Sequence, residues 1–377
     1  MTKKLTAVTV LAALVLTLAA ACSNTSYIAT VGDEKYPVGT YAFYAYYTRD
    51  NYMANLQAYG VTDFANALTQ DADANGTKLY SYIIEETKNS YISHILVEKK
   101  FEEYGLSLTA EQQELIDEGF QTTWIDGYGL EKFTEICKTL GITSAEFKDI
   151  ISISYKNQQL QDYLFGAGGI YEITDSELIN NYNTNYERFR CINVSKLDSE
   201  GSMLSTDALI EKKALVDEAY NKALAGEDFA EIIKQYSESY IPVSDDLSDE
   251  YKELYEQSNK EQMEDGYVTD KNGIFDYMYY YYYSYYLDSA IVDKVFSMNV
   301  GDIDIVELAN SFWIIEKCDK NEKEDYFNSK KDLIYSSIST PILNDLYTEW
   351  EADLLLTFNT AAVNKYDPRR IDALFVS

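Results

Sequence analysis

The sequence predicts a mainly α protein that carries an α+β insert with a small antiparallel sheet. Three observations predict this. Apolar residues recur at helical spacing through the first half of the chain. Three Thr residues are each followed three positions later by Glu or Gln, the reciprocal cap of a helix start. At Phe189 the pattern changes to short apolar runs of strand length separated by helical stretches. Pro occurs only 4 times in 377 residues, so few helices meet a breaker.

Apolar residues on both sides of Gly32-Asp33 give a hairpin over 27–38. Gly39-Thr40 opens a helix over 41–59, crowded with Tyr41, Phe43, Tyr44, Tyr46 and Tyr47, which reads as core. Residues 63–76 are polar, a loop or a short helix. A helix over 77–104 ends at Gly105. Capped starts follow at Thr109…Gln112, Thr143…Glu146 and Thr174…Glu177. A strand is expected over 189–195, then helices over 207–225 and 228–236. Residues 240–270 are acidic and polar, and the acidic loop over 245–265 reads as a solvated face. Lys271-Asn272-Gly273 turns into a strand at Ile274. A short helix over 287–296, strands over 304–308 and 311–318, and a final helix over 325–357 complete the pattern. The tyrosine run 279–286 has two readings, an aromatic gripping surface or a half-buried strand with Tyr on both faces.

The first 22 residues read as a lipoprotein signal peptide. Lys3 and Lys4 precede an apolar run over 5–21, and small residues lead to Cys22. The run is too short and too small-sided for a good permanent span. Cys22 has the lipobox position and is the expected lipidation site, although Ala19 stands where Leu is usual. The alternative is ordinary cleavage after Ala21. Either way the expected workplace is outside the cytoplasm, without ATP.

The formal charge is −32, and removing Lys3 and Lys4 takes it to about −34. Such a surface repels nucleic acid and anionic head groups, so membrane contact is expected only through the anchor. The four Cys (Cys22, Cys137, Cys191, Cys318) form no disulfide framework, which in an exported chain points to a Gram-positive anaerobe. His94 is the single His. That excludes sites needing two imidazoles, and no Asp-x-Asp-x-Asp-Gly loop occurs in the acidic stretch 245–265. No metal and no cofactor are expected.

Three stretches occur together in a familiar order. Residues 225–238, AGEDFAEIIKQYSE, resemble the parvulin segment AGxDFAELAKKYSED. Residues 295–303, VFSMNVGDI, are similar to AFSLKVGEI, and 189–195 to the parvulin opening strand RHILVS. The stretch VGDEKYPVGTYAFY and the capped helices resemble the chaperone domain of exported foldases of the PrsA and SurA type. The resemblance implies a helical SurA-like chaperone domain over 27–188, a degenerate PpiC-type parvulin domain over 189–320 with an insertion at 240–286, and a C-terminal segment, 325–377, that returns to the chaperone domain.

What the resemblance implies for the site is a set of departures. The family's two His positions fall on Cys191 and Trp313, and its Asp or Cys position on Ser239. These three are the catalytic positions, all altered. Leu287, Ile291 and Phe296 fall where the family binds proline. The implied function is an extracytoplasmic, ATP-independent foldase or chaperone whose partners are unfolded or newly exported proteins. Two alternatives remain: an active peptidyl-prolyl isomerase, and a surface ligand-binding or adhesion lipoprotein. The Ser93-His94-Ile95-Leu96-Val97 run also looks like a parvulin strand, but a helical run follows it, so His94 is read as helix packing.

Overall fold

The computed structural model describes residues 26–275 and 285–375. The expected signal segment with Cys22, and positions 279–284 of the tyrosine run, lie outside them. In chain order the described elements are β1 (Tyr27–Val31), β2 (Glu34–Pro37), α1 (Val38–Ala58), α2 (Phe64–Ala67), α3 (Leu79–Glu103), α4 (Ala110–Gly119), α5 (Leu130–Leu140), α6 (Ser144–Ile151), α7 (Ile153–Phe165) and α8 (Asp175–Asn185). Then come β3 (Tyr186–Ser195), α9 (Thr206–Leu224), α10 (Phe229–Tyr236), α11 (Asp249–Lys260), β4 (Tyr267–Asp270), β5 (Ile274–Phe275), β6 (Tyr285–Tyr286), α12 (Ser289–Ser297), β7 (Ile303–Glu307) and β8 (Ser311–Cys318). The chain finishes with α13 (Glu324–Asn328), α14 (Lys331–Leu354), β9 (Leu356–Phe358) and α15 (Thr360–Val363). Mostly helical, with two small antiparallel sheets, this is the architecture the sequence predicts. The chain divides into two compact units, 1–172 with 339–377, and 173–338.

In the first unit β1 pairs with β2 across the Gly32 turn and, on its other edge, with β9. Strand β9 had no sequence expectation. Gly39 begins α1 at a point where a Cβ would run into Ile142, so a side chain there would displace the helix. The aromatic helix sends Tyr41 and Phe43 into the core, while Tyr44 and Tyr46 are half-buried and Tyr47 is exposed: Phe43 packs with Phe133, Ile136, Phe147 and Leu374, and Tyr41 meets Tyr91 edge-on at 5.5 Å. All three reciprocal caps are made. In the second of them, Glu146 N–H donates to Thr143 Oγ1 at 3.1 Å and Thr143 N–H donates to the Glu146 carboxylate at 2.7 Å. Those backbone and hydroxyl bonds hold the Glu146 carboxyl below the usual carboxylate range.

In the second unit the strand order is β6-β5-β4-β3-β8-β7. The centre is the antiparallel ladder from Arg188↔Cys318 to Ser195↔Ser311. Alternation splits it into two apolar faces. Ile192, Val194, Phe312 and Ile314 face α9 and α10, meeting Val216, Ala219, Phe229 and Ile233. Phe189, Cys191 and Ile315 pack with Ile291, Val292 and Val295 of α12. Helix α8, which the pattern groups with the helices before it, packs here too: Leu178 and Tyr182 meet Val268 and Ile334.

Two expectations are corrected. Residues 240–270 are not an irregular acidic stretch: Ser248 caps α11, a π turn follows at Glu261–Asp265, and β4 joins the sheet. The segment is held by amides rather than by apolar spacing. Asn259 bonds both backbone groups of Ile241, and Gln262 Nε2 donates to Ser239 O at 2.9 Å. The helix expected over 325–357 is two, α13 and α14, separated at Ser329-Lys330.

Asp50 fixes the end of the chain. It is buried, pairs with Arg49 at 2.8 Å and accepts the N–H groups of Leu374 and Phe375, both at 2.7 Å. Asp50→Ala leaves an unpaired Arg49 guanidinium and two orphaned N–H groups. The expected loss is about 3 kcal/mol in urea unfolding; an unchanged midpoint would contradict this role.

Candidate functional site

Five of the six positions singled out from the sequence in the second unit meet in one cluster. Cys191 stands on β3 and Trp313 on β8; Leu287 precedes α12, and Ile291 and Phe296 lie on it. Asp288 caps that helix by accepting from Ala290 N–H at 2.9 Å, which sets where Ile291 points. Cys191, Leu287 and Ile291 are buried, while Trp313 and Phe296 are half-buried.

The register places Ile315 across from Cys191, and Asn193 across from Trp313. Ile315, Val295 and Val306 complete the cluster. The period-2 spacing 313, 315, 317 carries the signal for Ile315, and it extends to Lys317. Lys317 is a buried cation at the end of this face. Its Nζ donates to Val295 O at 2.7 Å, pairs with Glu187 at 2.7 Å and lies 5.7 Å from the Phe296 ring. Burial, partly offset by Glu187, lowers its pKa. The ammonium closes the C-terminal end of α12 and so holds the cluster rather than serving chemistry.

Ser239 is not part of this cluster. Its hydroxyl bonds Ser237 Oγ at 2.8 Å and donates to Gln262 Oε1 at 3.1 Å, while Ser237 Oγ accepts from Asn193 N–H at 3.2 Å. It serves to dock the segment around Gln262 beside β3.

Chemically the face is apolar and inert to proton transfer. Burial pushes the Cys191 thiol up to about 12, so it stays protonated at neutral pH. The Trp313 indole N–H donates to Ser311 Oγ at 3.0 Å. Among the described residues no cluster of His, Cys, Asp and Glu has the arrangement of a metal site, and no helix is long and apolar enough to cross a membrane.

The first unit has an apolar cleft of about 830 Å³, lined by Tyr52, Leu56, Val61, Leu79 and Tyr82, with Asp63, Asp71 and Asp73 also in its wall. Tyr52 and Tyr82 meet edge-on at 6.4 Å, and Tyr52 OH donates to Glu86 at 2.5 Å. No sequence expectation pointed to it, because its residues come from α1, α2, α3 and the loops between them.

His94 lies on α3, buried, with Tyr44 OH 3.1 Å from Nδ1. Glu98 is 4.0 Å from Nε2, but Lys156 pairs with both Glu98 and Asp149, at 2.6 and 2.8 Å. The carboxylates are thus already compensated, and burial, with a smaller contribution from Lys156, lowers the imidazole to about 4.

No family model matches the chain, and no curated protein matches it. Among solved structures it is similar to PrsA from Bacillus subtilis, 17% identical, covering 76% of this chain and 91% of that one with a TM-score of 0.24. It is also similar to the foldase protein PrsA from Streptococcus pneumoniae, 15% identical, covering 79% and 97% with a TM-score of 0.32. A third is PrsA from Lactococcus lactis, 14% identical, covering 90% and 97% with a TM-score of 0.31.

The buried His94 predicts a pH dependence. Its ordinary pKa, about 6.5, holds in the unfolded chain, which therefore takes up a proton between that value and about 4 while the folded chain does not. Stability is complete above about 6.5 and falls with pH, by roughly 3 kcal/mol at about pH 4. Denaturant midpoints of the protein and of His94→Gln should diverge on acidification, with the variant losing less. Parallel profiles would refute the assignment.

Proposed function

We propose that the protein is an extracytoplasmic, ATP-independent holding chaperone of the foldase type, tethered through lipidated Cys22, with newly exported unfolded proteins as clients. The observation that carries the reading is the sheet face holding Cys191, Leu287, Ile291, Phe296 and Trp313. Residues placed by the parvulin resemblance meet there, and no group suited to proton transfer stands among them. The parvulin-like unit then serves structure and spacing rather than turnover.

Holding needs apolar contact that is broad and weakly specific. The cleft of Tyr52, Leu56, Val61, Leu79 and Tyr82 supplies it, at a size that takes a few side chains of an extended segment. The acidic groups beside it and the net charge of −32 favour clients with basic flanks and keep a loaded complex in solution.

The test is light scattering by an unfolding exported protein, without nucleotide. Added chain is expected to suppress aggregation, and Leu56→Ser with Tyr82→Ser to weaken that suppression. A chain that leaves aggregation unchanged even in excess would overturn the reading.

A further inference from the structure

A second cavity, about 440 Å³, opens in the first unit among β2, the start of α1 and one face of α3. Tyr91, His94, Ile95, Glu98 and Phe101 recur at helical spacing on α3 and line it together. Tyr91 is only 2% exposed, yet its hydroxyl finds no hydrogen-bond partner among the described residues. Burial and the Tyr36 phenol, which also lines the cavity, raise its pKa, and no bonded partner lowers it. The ring packs edge-on to Tyr41 at 5.5 Å and lies 6.2 Å from Phe358, which leaves the hydroxyl end toward the cavity. Unlike the sealed oxygens of Ser258 and Tyr326, that of Tyr91 keeps accessible surface. A buried hydroxyl in this condition is destabilising unless something in the cavity accepts from it. The space is roughly fifteen times the volume one water occupies, so it admits a ligand of several atoms.

His94, nearly one turn along α3, supplies a second donor. Tyr44 OH lies 3.1 Å from Nδ1, and the Glu98 carboxylate on the other side of the ring favours the proton on Nε2. Glu98 stays 4.0 Å from Nε2, too far to bond it, because Lys156 holds the same oxygen at 2.6 Å. Helix α1 adds its own polarity, since it starts at Pro37 with no side-chain cap and no acidic residue in its first turn. Pro37 and Thr40 line the cavity, so the partial positive charge of that helix end faces the same space. Charge narrows the ligand further. Lys99 is engaged by Glu34 at 3.5 Å and Glu98 by Lys156, while exposed Glu102 adds a negative charge to the wall. An anion is repelled there, and a cation meets donors where it needs acceptors. A neutral acceptor such as an amide carbonyl meets neither penalty, and Pro37, Ile95 and Phe101 can cover its apolar body.

We propose that this cavity binds a neutral amide by its carbonyl oxygen, with the Tyr91 hydroxyl and His94 Nε2–H donating to it. The amide belongs to a small molecule or to a segment of peptide. The site lies apart from the cleft of Tyr52 and Tyr82 and does not depend on the chaperone reading.

His94 is the one imidazole in the chain, so its ring signals in NMR report on this site alone. Titration of the full chain with N-acetyl-leucinamide is expected to shift them saturably at millimolar concentration. N-acetyl-leucine, which carries a carboxylate instead, should bind at least about tenfold more weakly. A blocked tripeptide, N-acetyl-Ala-Leu-Ala amide, separates the two sources. Tighter binding than N-acetyl-leucinamide assigns the site to a peptide segment; equal or weaker binding assigns it to a small amide. Tyr91→Phe keeps the ring and should weaken binding of N-acetyl-leucinamide about tenfold. Its Tm should hold or rise, because no bond within the protein is lost. Three results would overturn the proposal: His94 signals that do not move with the amide, equal or tighter binding of the acid, or wild-type binding by Tyr91→Phe. A lowered Tm in that variant would also overturn it, by revealing a partner for the hydroxyl within the fold.

Discussion

The antiparallel ladder between β3 and β8 is the constraint on which the candidate site depends. Its register, Cys191 against Ile315 and Asn193 against Trp313, decides which side chains face α12 and which face α9 and α10. Because side chains alternate, a slip of one residue on either strand would carry that strand's contribution to the other face. Both faces are apolar and both are covered by helices, so each penalises a slip. Lys317 adds a directional lock, since its ammonium reaches Val295 O and Glu187 only from this register.

The same constraint fixes what the face can do. A strand pair buried on both sides, with α12 across one of them, produces an environment that raises the Cys191 thiol and leaves the Trp313 indole and the Lys317 ammonium as polar groups at its ends. Proline isomerisation has a barrier of about 18–20 kcal/mol, and lowering it means binding the twisted amide better than either planar form. An apolar face without donors aimed at that amide contributes shape and exclusion of water only. With Cys191, Leu287, Ile291 and Ile315 buried beneath α12, the face offers packing rather than proton transfer.

Local chemistry made much of the fold legible. Caps such as Thr143…Glu146 are set by two backbone groups within one turn, and the hairpin by Gly32, so neither needs distant partners. The pairs of strands 189–195 and 311–318 stood out by apolar run length. What was not legible rests on contacts across the sequence. Strand β9 is defined by its pairing with β1, more than 300 positions away, and is too short to show periodicity. Helix α11 carries few apolar residues, and the amides of Asn259 and Gln262 dock the segment around it. At the site, Cys191, Leu287, Ile291, Phe296 and Trp313 could be named from the resemblance. The place of Ser239 could not, because its partner Gln262 lies 23 positions further on, in a segment without apolar periodicity. Ile315 was readable in principle from alternation.

The most direct measurement is isomerase turnover on a panel of proline tetrapeptides with the chain from Ser23 onward. The account predicts the uncatalysed rate for every peptide. Turnover clearly above it, abolished by Leu287→Ala or Ile291→Ala in variants that still fold, would contradict the account and make the apolar face a working active site.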